Sequence, residues 1–77
     1  MSNNIADVII HIDETLPLDE LKALESDIHD LDGVVSACGR DDKVHLITVT
    51  YSPEHINSLE ILNKVRNEGH HAELVGL

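Results

Sequence analysis

The second half of the chain limits the fold more than any other feature, because the spacing of its apolar residues changes twice along a short stretch. Residues 44–51 predict a strand, in which apolar side chains recur with period two. A turn at Pro53 leads into an amphipathic helix that ends at Gly69, and residues 72–77 predict a closing strand. This order is the back half of a small βαββαβ domain.

The first half of the chain completes that pattern. Residues 8–12 form a β-branched run typical of a strand, and Pro17 fits the first position of a helix. Gly33 is predicted to supply a left-handed cap after that helix. Residues 34–38 predict a second strand, which a polar turn at residues 39–43 joins to the third.

Together these elements predict an α+β fold: a ferredoxin-like βαββαβ sandwich, with a four-stranded antiparallel sheet and two helices on one face. Residues 1–77 are predicted to form a single domain with one thin core. Asn57 and Glu60 predict a capping box at the start of the second helix, and Leu18 and Leu31 extend the apolar stripe of the first. The predicted core packs the two helical stripes on two strands, using Leu21, Leu24, Ile28, Leu59, Leu62, Val65, Val8, Ile10, Ile12, Ile47 and Val49.

Composition limits the partners of such a chain. It carries 15 acidic and 5 basic residues, for a formal charge of −10, with one Tyr and no Trp or Phe. It therefore lacks aromatic surfaces on which nucleic acid stacks, and its charge repels phosphate backbones, so we expect no nucleic-acid partner. No segment approaches the ~20 apolar residues of a membrane span, so we expect no membrane insertion. The single cysteine, Cys38, and an N-terminus without a basic, apolar signal predict a cytoplasmic protein.

Three short segments carry a resemblance to a known family. Residues 32–34 (Asp-Gly-Val) stand where that family ends its first helix with Pro-Gly-Val. Residues 47–53 (Ile-Thr-Val-Thr-Tyr-Ser-Pro) stand for its Ala-x-Val-x-Tyr-Asp-Pro, and residues 68–72 (Glu-Gly-His-His-Ala) for its Ala-Gly-Tyr-x-Ala. Over roughly residues 8–76 the chain resembles the heavy-metal-associated domains of copper chaperones and metal-pumping ATPases. The resemblance implies the βαββαβ fold and a role in metal handling.

The family's metal-binding motif is replaced in this chain. Where the family has Met-x-Cys-x-x-Cys, residues 13–20 read Asp-Glu-Thr-Leu-Pro-Leu-Asp-Glu, which offers carboxylates instead of the thiolates that select Cu(I). The resemblance places the loop before the last strand at the same end of the sheet, with His70 at its metal-approaching position. We therefore predict a metal site of His70, His71, Asp13 and Glu14 for a divalent ion such as Zn(II). The alternative is that these are ordinary residues at a helix start and in a loop.

The other reactive side chains predict little chemistry. His11 and Cys38 are expected on the open face of the sheet, but the third strand lies between their strands and argues against a shared ligand set. His29 is expected in solvent on the first helix. The chain has no phosphate-binding loop, nucleophile elbow or evident Cys–His pair, so we predict that it is not an enzyme.

Two functional hypotheses therefore remain. The first is metal binding or metal trafficking through a non-cysteine site. The second is a protein-interaction or dimerisation module without a metal. A homodimer is expected to use an apolar patch of Ile9, Val44 and Leu46 on the open face of the sheet. A protein partner is expected to offer a basic surface to the acidic outer face of the first helix, formed by Asp19, Glu20, Glu25, Asp27 and Asp30.

Overall fold

The sheet and the two helices follow the predicted order along the chain. The structure is a computed structural model that describes residues 4–40 and 43–75, with only the backbone of Arg40, Lys43 and Val44. Its elements are β1 (Ala6–Ile12), α1 (Leu18–His29), β2 (Val34–Arg40), β3 (Lys43–Tyr51), α2 (Ser58–Asn67) and β4 (Ala72–Leu74). The strands pair antiparallel in the order β2-β3-β1-β4, which confirms the predicted ferredoxin-like βαββαβ fold. Neither helix of the described chain is long and apolar enough to cross a membrane.

The core forms between the helices and one face of the sheet. Alternate residues of β1 and β3 are fully buried there, and α1 contributes Leu21, Leu24 and Ile28 as predicted. Helix α2 contributes Ile61, Leu62 and Val65, whereas the predicted core residue Leu59 is 61% exposed. Leu59 lies in the first turn of α2, roughly 160° around the helix axis from Ile61 and roughly 120° from Val65, so it lies off the centre of the buried face.

Leu18 is a second correction to the predicted apolar stripe. It is the first residue of α1 and is 62% exposed, beyond the part of the helix that packs on the sheet. Pro17 is the N-cap, with φ −57° and ψ 155°, and therefore lies one residue outside the helix instead of at its first position.

A capping residue sets the start of α2, and a glycine allows the sharp turn that follows each helix. The Asn57 side chain accepts a hydrogen bond from the Glu60 N–H at 2.8 Å, and the predicted capping box is confirmed. Gly33 and Gly69 have φ values of +99° and +96°, in the left-handed region that favours glycine. Gly33 lies beyond the α1 C-cap at Asp30, in the turn that leads to β2.

The hairpin between β2 and β3 is tighter than predicted. The strands extend into the predicted polar turn, with Arg40 and Lys43 as Cα partners and a register shift just before Arg40. The Gly39 N–H donates a hydrogen bond to the Glu25 carboxylate of α1. Glu25 is therefore half-buried against β2, which corrects its predicted place on the outer face of α1.

The closing strand is held at both ends. The Arg66 Nε of α2 donates to the Ala72 carbonyl at 3.0 Å, and the Val75 N–H donates to the Ile9 carbonyl at 2.8 Å. β4 ends at Leu74, earlier than the predicted strand, whose residues 76–77 lie outside the described chain. The loop after β1 meets the loop before β4 at the same end of the sheet, because the Asp13 N–H donates to the His71 carbonyl at 2.8 Å.

Candidate metal site

The last residues of β1 bring three metal-ligating side chains together. Val8, Ile10 and Ile12 point into the core, so the intervening His11 points out of the open face of the sheet. On the neighbouring strand β4, Glu73 is the Cα partner of His11. Asp13 follows immediately after β1, and we call His11, Asp13 and Glu73 the edge cluster.

The geometry of the edge cluster centres on one ring nitrogen. His11 Nδ1 lies 3.0 Å from Glu73 Oε1 and 3.3 Å from Asp13 Oδ1. One ligand atom from each residue lies within 4.8 Å of the other two. A tetrahedral ion with bonds of ~2.0–2.2 Å holds its ligand atoms roughly 3.4 Å apart, close to the two contacts made by His11. The two contacts of His11 are therefore already near the separation that a single ion requires, and the Asp13 and Glu73 oxygens lie within 4.8 Å of each other.

The edge cluster is open to solvent. The side chains of His11, Asp13 and Glu73 are 36%, 54% and 50% exposed, respectively. An ion bound there could be reached from outside without opening the core. The contacts of His11 with Asp13 and Glu73 are accordingly weak contributors to stability.

His45 packs beside the edge cluster from the start of β3. Its ring stacks on the His11 ring, with centroids 5.7 Å apart and planes at 24°. Its Nδ1 donates to the Ile12 carbonyl at 2.8 Å, and its Nε2 lies 3.5 Å from Thr15 Oγ1. Because a carbonyl oxygen can only accept, the proton of a neutral His45 is on Nδ1.

Glu14 and His71 connect the two loops next to the edge cluster. Glu14 Oε2 lies 2.5 Å from His71 Nδ1, and the His71 N–H donates to both Glu14 oxygens at 3.0 and 3.1 Å. This side-chain hydrogen bond lowers the pKa of Glu14 below its ordinary 4.5. The same bond raises the pKa of His71 above its ordinary 6.5. We call this contact the loop clasp.

The four predicted site residues occupy different surroundings. Asp13 belongs to the edge cluster, whereas Glu14 and His71 bind each other in the loop clasp. His70 immediately precedes His71 in the sequence and is half-buried, and it lies outside the edge cluster. No hydrogen bond or ion pair joins it to a residue of the described chain. Its role as a metal ligand stays a prediction.

Sequence reasoning missed His11 and Glu73 as partners. The signal that could have revealed them is the β1–β4 register, which places residues 62 positions apart at hydrogen-bonding distance. The expected separation of His11 from Cys38 is confirmed, since β3 lies between β1 and β2. Cys38 is exposed on β2 and lies away from the edge cluster.

The expected apolar patch on the open face is modest in the described chain. Ile9 and Leu46 are only half-buried, and the side chain of Val44 lies outside what the structure describes. Within the described chain, the exposed large apolar residues lie apart from this face's patch, on α1, β2 and α2 and just outside β1 and β4: Leu18, Val35, Leu59, Ile5 and Val75. A homodimer through this face stays a prediction.

Solved structures with this fold include MerP and two copper-binding domains. The crystal structure of oxidised MerP from Ralstonia metallidurans matches with a TM-score of 0.84 and 10% identity, over 95% of this chain and 100% of that one. The copper-binding domain of HMA7, a P-type ATPase, matches with a TM-score of 0.82 and 14% identity, over 91% and 93%. The yeast copper transporter domain CCC2A, solved in apo and Cu(I)-loaded states, matches with a TM-score of 0.80 and 17% identity, over 91% and 94%.

These matches show a shared fold, and their low identities carry no ligand assignment to this chain. No protein-family model matches the sequence, and neither does any curated protein. The loop between β1 and α1 has no cysteine, and Cys38 is the only cysteine in the chain. The donors of this chain therefore do not fit a site built from two thiolates.

Proposed function

We propose that this protein binds a divalent metal ion at the edge cluster and acts as a small metal-binding or metal-trafficking protein. The observation that carries the proposal is the convergence of His11, Asp13 and Glu73 from two strands and a loop. On coordination, the contacts of His11 Nδ1 with Asp13 and Glu73 would be replaced by bonds from all three side chains to one ion. The two carboxylates would offset the charge of the ion.

The chemistry of the donors favours a borderline divalent ion. One imidazole nitrogen and two carboxylate oxygens suit Zn(II) and neighbouring first-row ions, whereas Cu(I) prefers thiolates. Three protein ligands leave a position of a tetrahedral ion for water or for a ligand from another molecule. Such an open position is better suited to an ion that is carried and exchanged than to an ion with a permanent structural role.

The fold supports the same function independently of the ligands. Proteins that share it include a copper-binding domain of a P-type ATPase, the yeast copper transporter domain CCC2A and the CopZ metallochaperone. In the family resemblance, metal is bound beside the β1–α1 loop, and the edge cluster lies at that end of the sheet. The proposed site therefore keeps the location while replacing the donor atoms, and it involves no catalysis.

Calorimetric titration with Zn(II), Co(II) and Ni(II) tests this proposal. We expect one ion per chain, and a loss of at least about tenfold in affinity for Asp13→Asn or Glu73→Gln, since even outer-shell partners of metals are worth that much. Asp30→Asn is the matched control, because Asp30 is an exposed carboxylate outside the edge cluster. Affinity should also fall at acidic pH, where imidazole takes up a proton.

A double variant separates the edge cluster from the loop histidines. If His70 and His71 provide the ligands, His70→Ala with His71→Ala should abolish binding while Glu73→Gln leaves it intact. If the edge cluster provides the ligands, Glu73→Gln should cost more affinity than the double variant, which removes only the side-chain contact of His71 with Glu14 beside the site. A wild-type chain that binds none of the three ions contradicts the proposed function and favours the protein-interaction hypothesis.

A further inference from the structure

His45 contacts the edge cluster without belonging to it. Its ring lies against the His11 ring, and its Nδ1–H is bonded to the carbonyl of Ile12, the residue between His11 and Asp13. Two of the three proposed ligands are thus attached to a backbone segment that His45 holds directly.

The contact with Ile12 lies just past the end of the β1–β3 ladder. The paired register between these strands ends at His11 and Leu46, and the next carbonyl of β1, that of Ile12, accepts the His45 side chain at 2.8 Å. On the other side of β1, the Asp13 N–H is bonded to the His71 carbonyl at 2.8 Å. The end of β1 is therefore held by β3 on one side and by the loop before β4 on the other, at the point where the ligands project.

His45 also restricts the orientation of His11. The His45 ring occupies the space on the β3 side of the His11 ring, and His11 Nδ1 is directed at Glu73 and Asp13. Holding ligand side chains near their bound geometry lowers the entropy that binding has to overcome. Partners of this kind around metal ligands typically change affinity by about 10- to 100-fold.

We propose that His45 is a positioning residue for metal binding at the edge cluster, acting through the Ile12 carbonyl and the His11 ring. This inference rests on the proposed function. His45 is not a ligand in it, since the edge cluster that a single ion can span is formed by His11, Asp13 and Glu73.

Three substitutions at this position separate the two contacts. His45→Asn keeps a side-chain N–H close to the place of Nδ1, His45→Phe keeps the ring without the donor, and His45→Ala removes both. We expect His45→Ala to weaken Zn(II) binding by about 10- to 100-fold, and each of the other two to restore part of that loss. His55→Ala is the matched control, because His55 is exposed near the opposite end of β3.

Two further measurements distinguish positioning from other roles. The visible spectrum of Co(II)-saturated His45→Ala should match that of the wild type, because the ligand set is unchanged. Amide hydrogen exchange at Asp13 in the metal-free protein should accelerate in His45→Ala and less so in His45→Asn, while the thermal midpoint stays close to that of the His55→Ala control.

The results that overturn the inference are specific. Equal Zn(II) affinity in His45→Ala and wild type removes His45 from the site while leaving the proposed function intact. An altered Co(II) spectrum at saturation makes His45 a ligand, contrary to the inference. If the wild type itself binds no metal, the proposed function fails and the inference with it, so the two failures are distinguishable.

Discussion

Glu14 and His71 join the loop after β1 to the loop before β4, with 2.5 Å between Glu14 Oε2 and His71 Nδ1. The backbone N–H of His71 also donates a hydrogen bond that both Glu14 oxygens accept. Asp13 and Glu73 lie one residue before Glu14 and two residues after His71. The loop clasp therefore fixes the spacing of the two segments that carry the proposed carboxylate ligands.

The first prediction is that the contribution of the loop clasp to stability has a maximum at mildly acidic pH. The raised pKa of His71 gives stability that is complete below 6.5 and is lost as pH rises through the raised value. The lowered pKa of Glu14 gives stability that is present above 4.5 and is lost as pH falls through the lowered value. The difference in unfolding free energy between wild type and Glu14→Gln should therefore be largest between pH 4.5 and 6.5.

Urea denaturation at a series of pH values, without metal, measures that difference. Glu20→Gln serves as the control, because Glu20 is an exposed carboxylate in the first turn of α1. A difference that grows steadily from pH 6.5 to pH 8 would contradict a clasp that requires protonated His71.

The second prediction contrasts the two left-handed glycines. Both have similar positive φ values, so alanine at either position carries a backbone penalty of about 1–2 kcal/mol. A Cβ at Gly33 would lie 2.8 Å from the His55 Cβ and 2.9 Å from the Ile56 Cγ2, whereas one at Gly69 meets nothing within 4 Å. Gly33→Ala should therefore cost clearly more unfolding free energy than Gly69→Ala. Equal denaturation midpoints for the two variants would show that the segment at His55 and Ile56 yields at little cost.

The third prediction concerns the position of the core on the two helices. Leu24 is 1% exposed and packs within the core, so Leu24→Ala should cost about 2–5 kcal/mol of unfolding free energy. Leu59→Ala makes the same change at a residue that is 61% exposed and should cost less than about 1 kcal/mol. Chemical denaturation of both variants measures these costs. A larger loss of unfolding free energy for Leu59→Ala than for Leu24→Ala would place Leu59 in the core, as the sequence predicted.

The fourth prediction is that tight Cu(I) binding by two thiolates is absent. The one cysteine, Cys38, is exposed on β2, and β3 separates that strand from β1. Competition against a Cu(I) chelator should show no tight one-to-one capture by the wild type. Capture that persists in Cys38→Ser would reveal a set of ligands without any thiolate.

The sequence predicted the path of the chain better than it predicted the ligands. Element order, the Asn57 capping box and the turn glycines depend on neighbouring residues, so local patterns were sufficient to find them. Leu59 was misplaced although Leu62 and Val65 of the same predicted stripe are buried, because the pattern alone does not show where along the helix the contact with the sheet begins.

The edge cluster could not be found in the same way, because its geometry depends on pairing between distant strands. His11 and Glu73 become neighbours through the β1–β4 register, which no local pattern specifies. The ring of His45 on His11 and the bonds of the loop clasp, which lie beside these side chains, likewise join residues that are distant in sequence. Asp13 was predicted because it lies in a loop whose position the family resemblance already indicated.

The contact between Glu25 and Gly39 has a consequence for aggregation of this protein at high concentration. β2 is an edge strand, and a row of unpaired backbone groups on such a strand invites a second chain to add itself to the sheet. An added strand would have to displace the Glu25 carboxylate from the Gly39 N–H and bring its own backbone oxygens close to that charge. Through Glu25, helix α1 thus disfavours the pairing of a second chain with the β2 edge and the fibrils that such pairing forms. Glu25→Ala should shorten the lag before aggregation at high concentration.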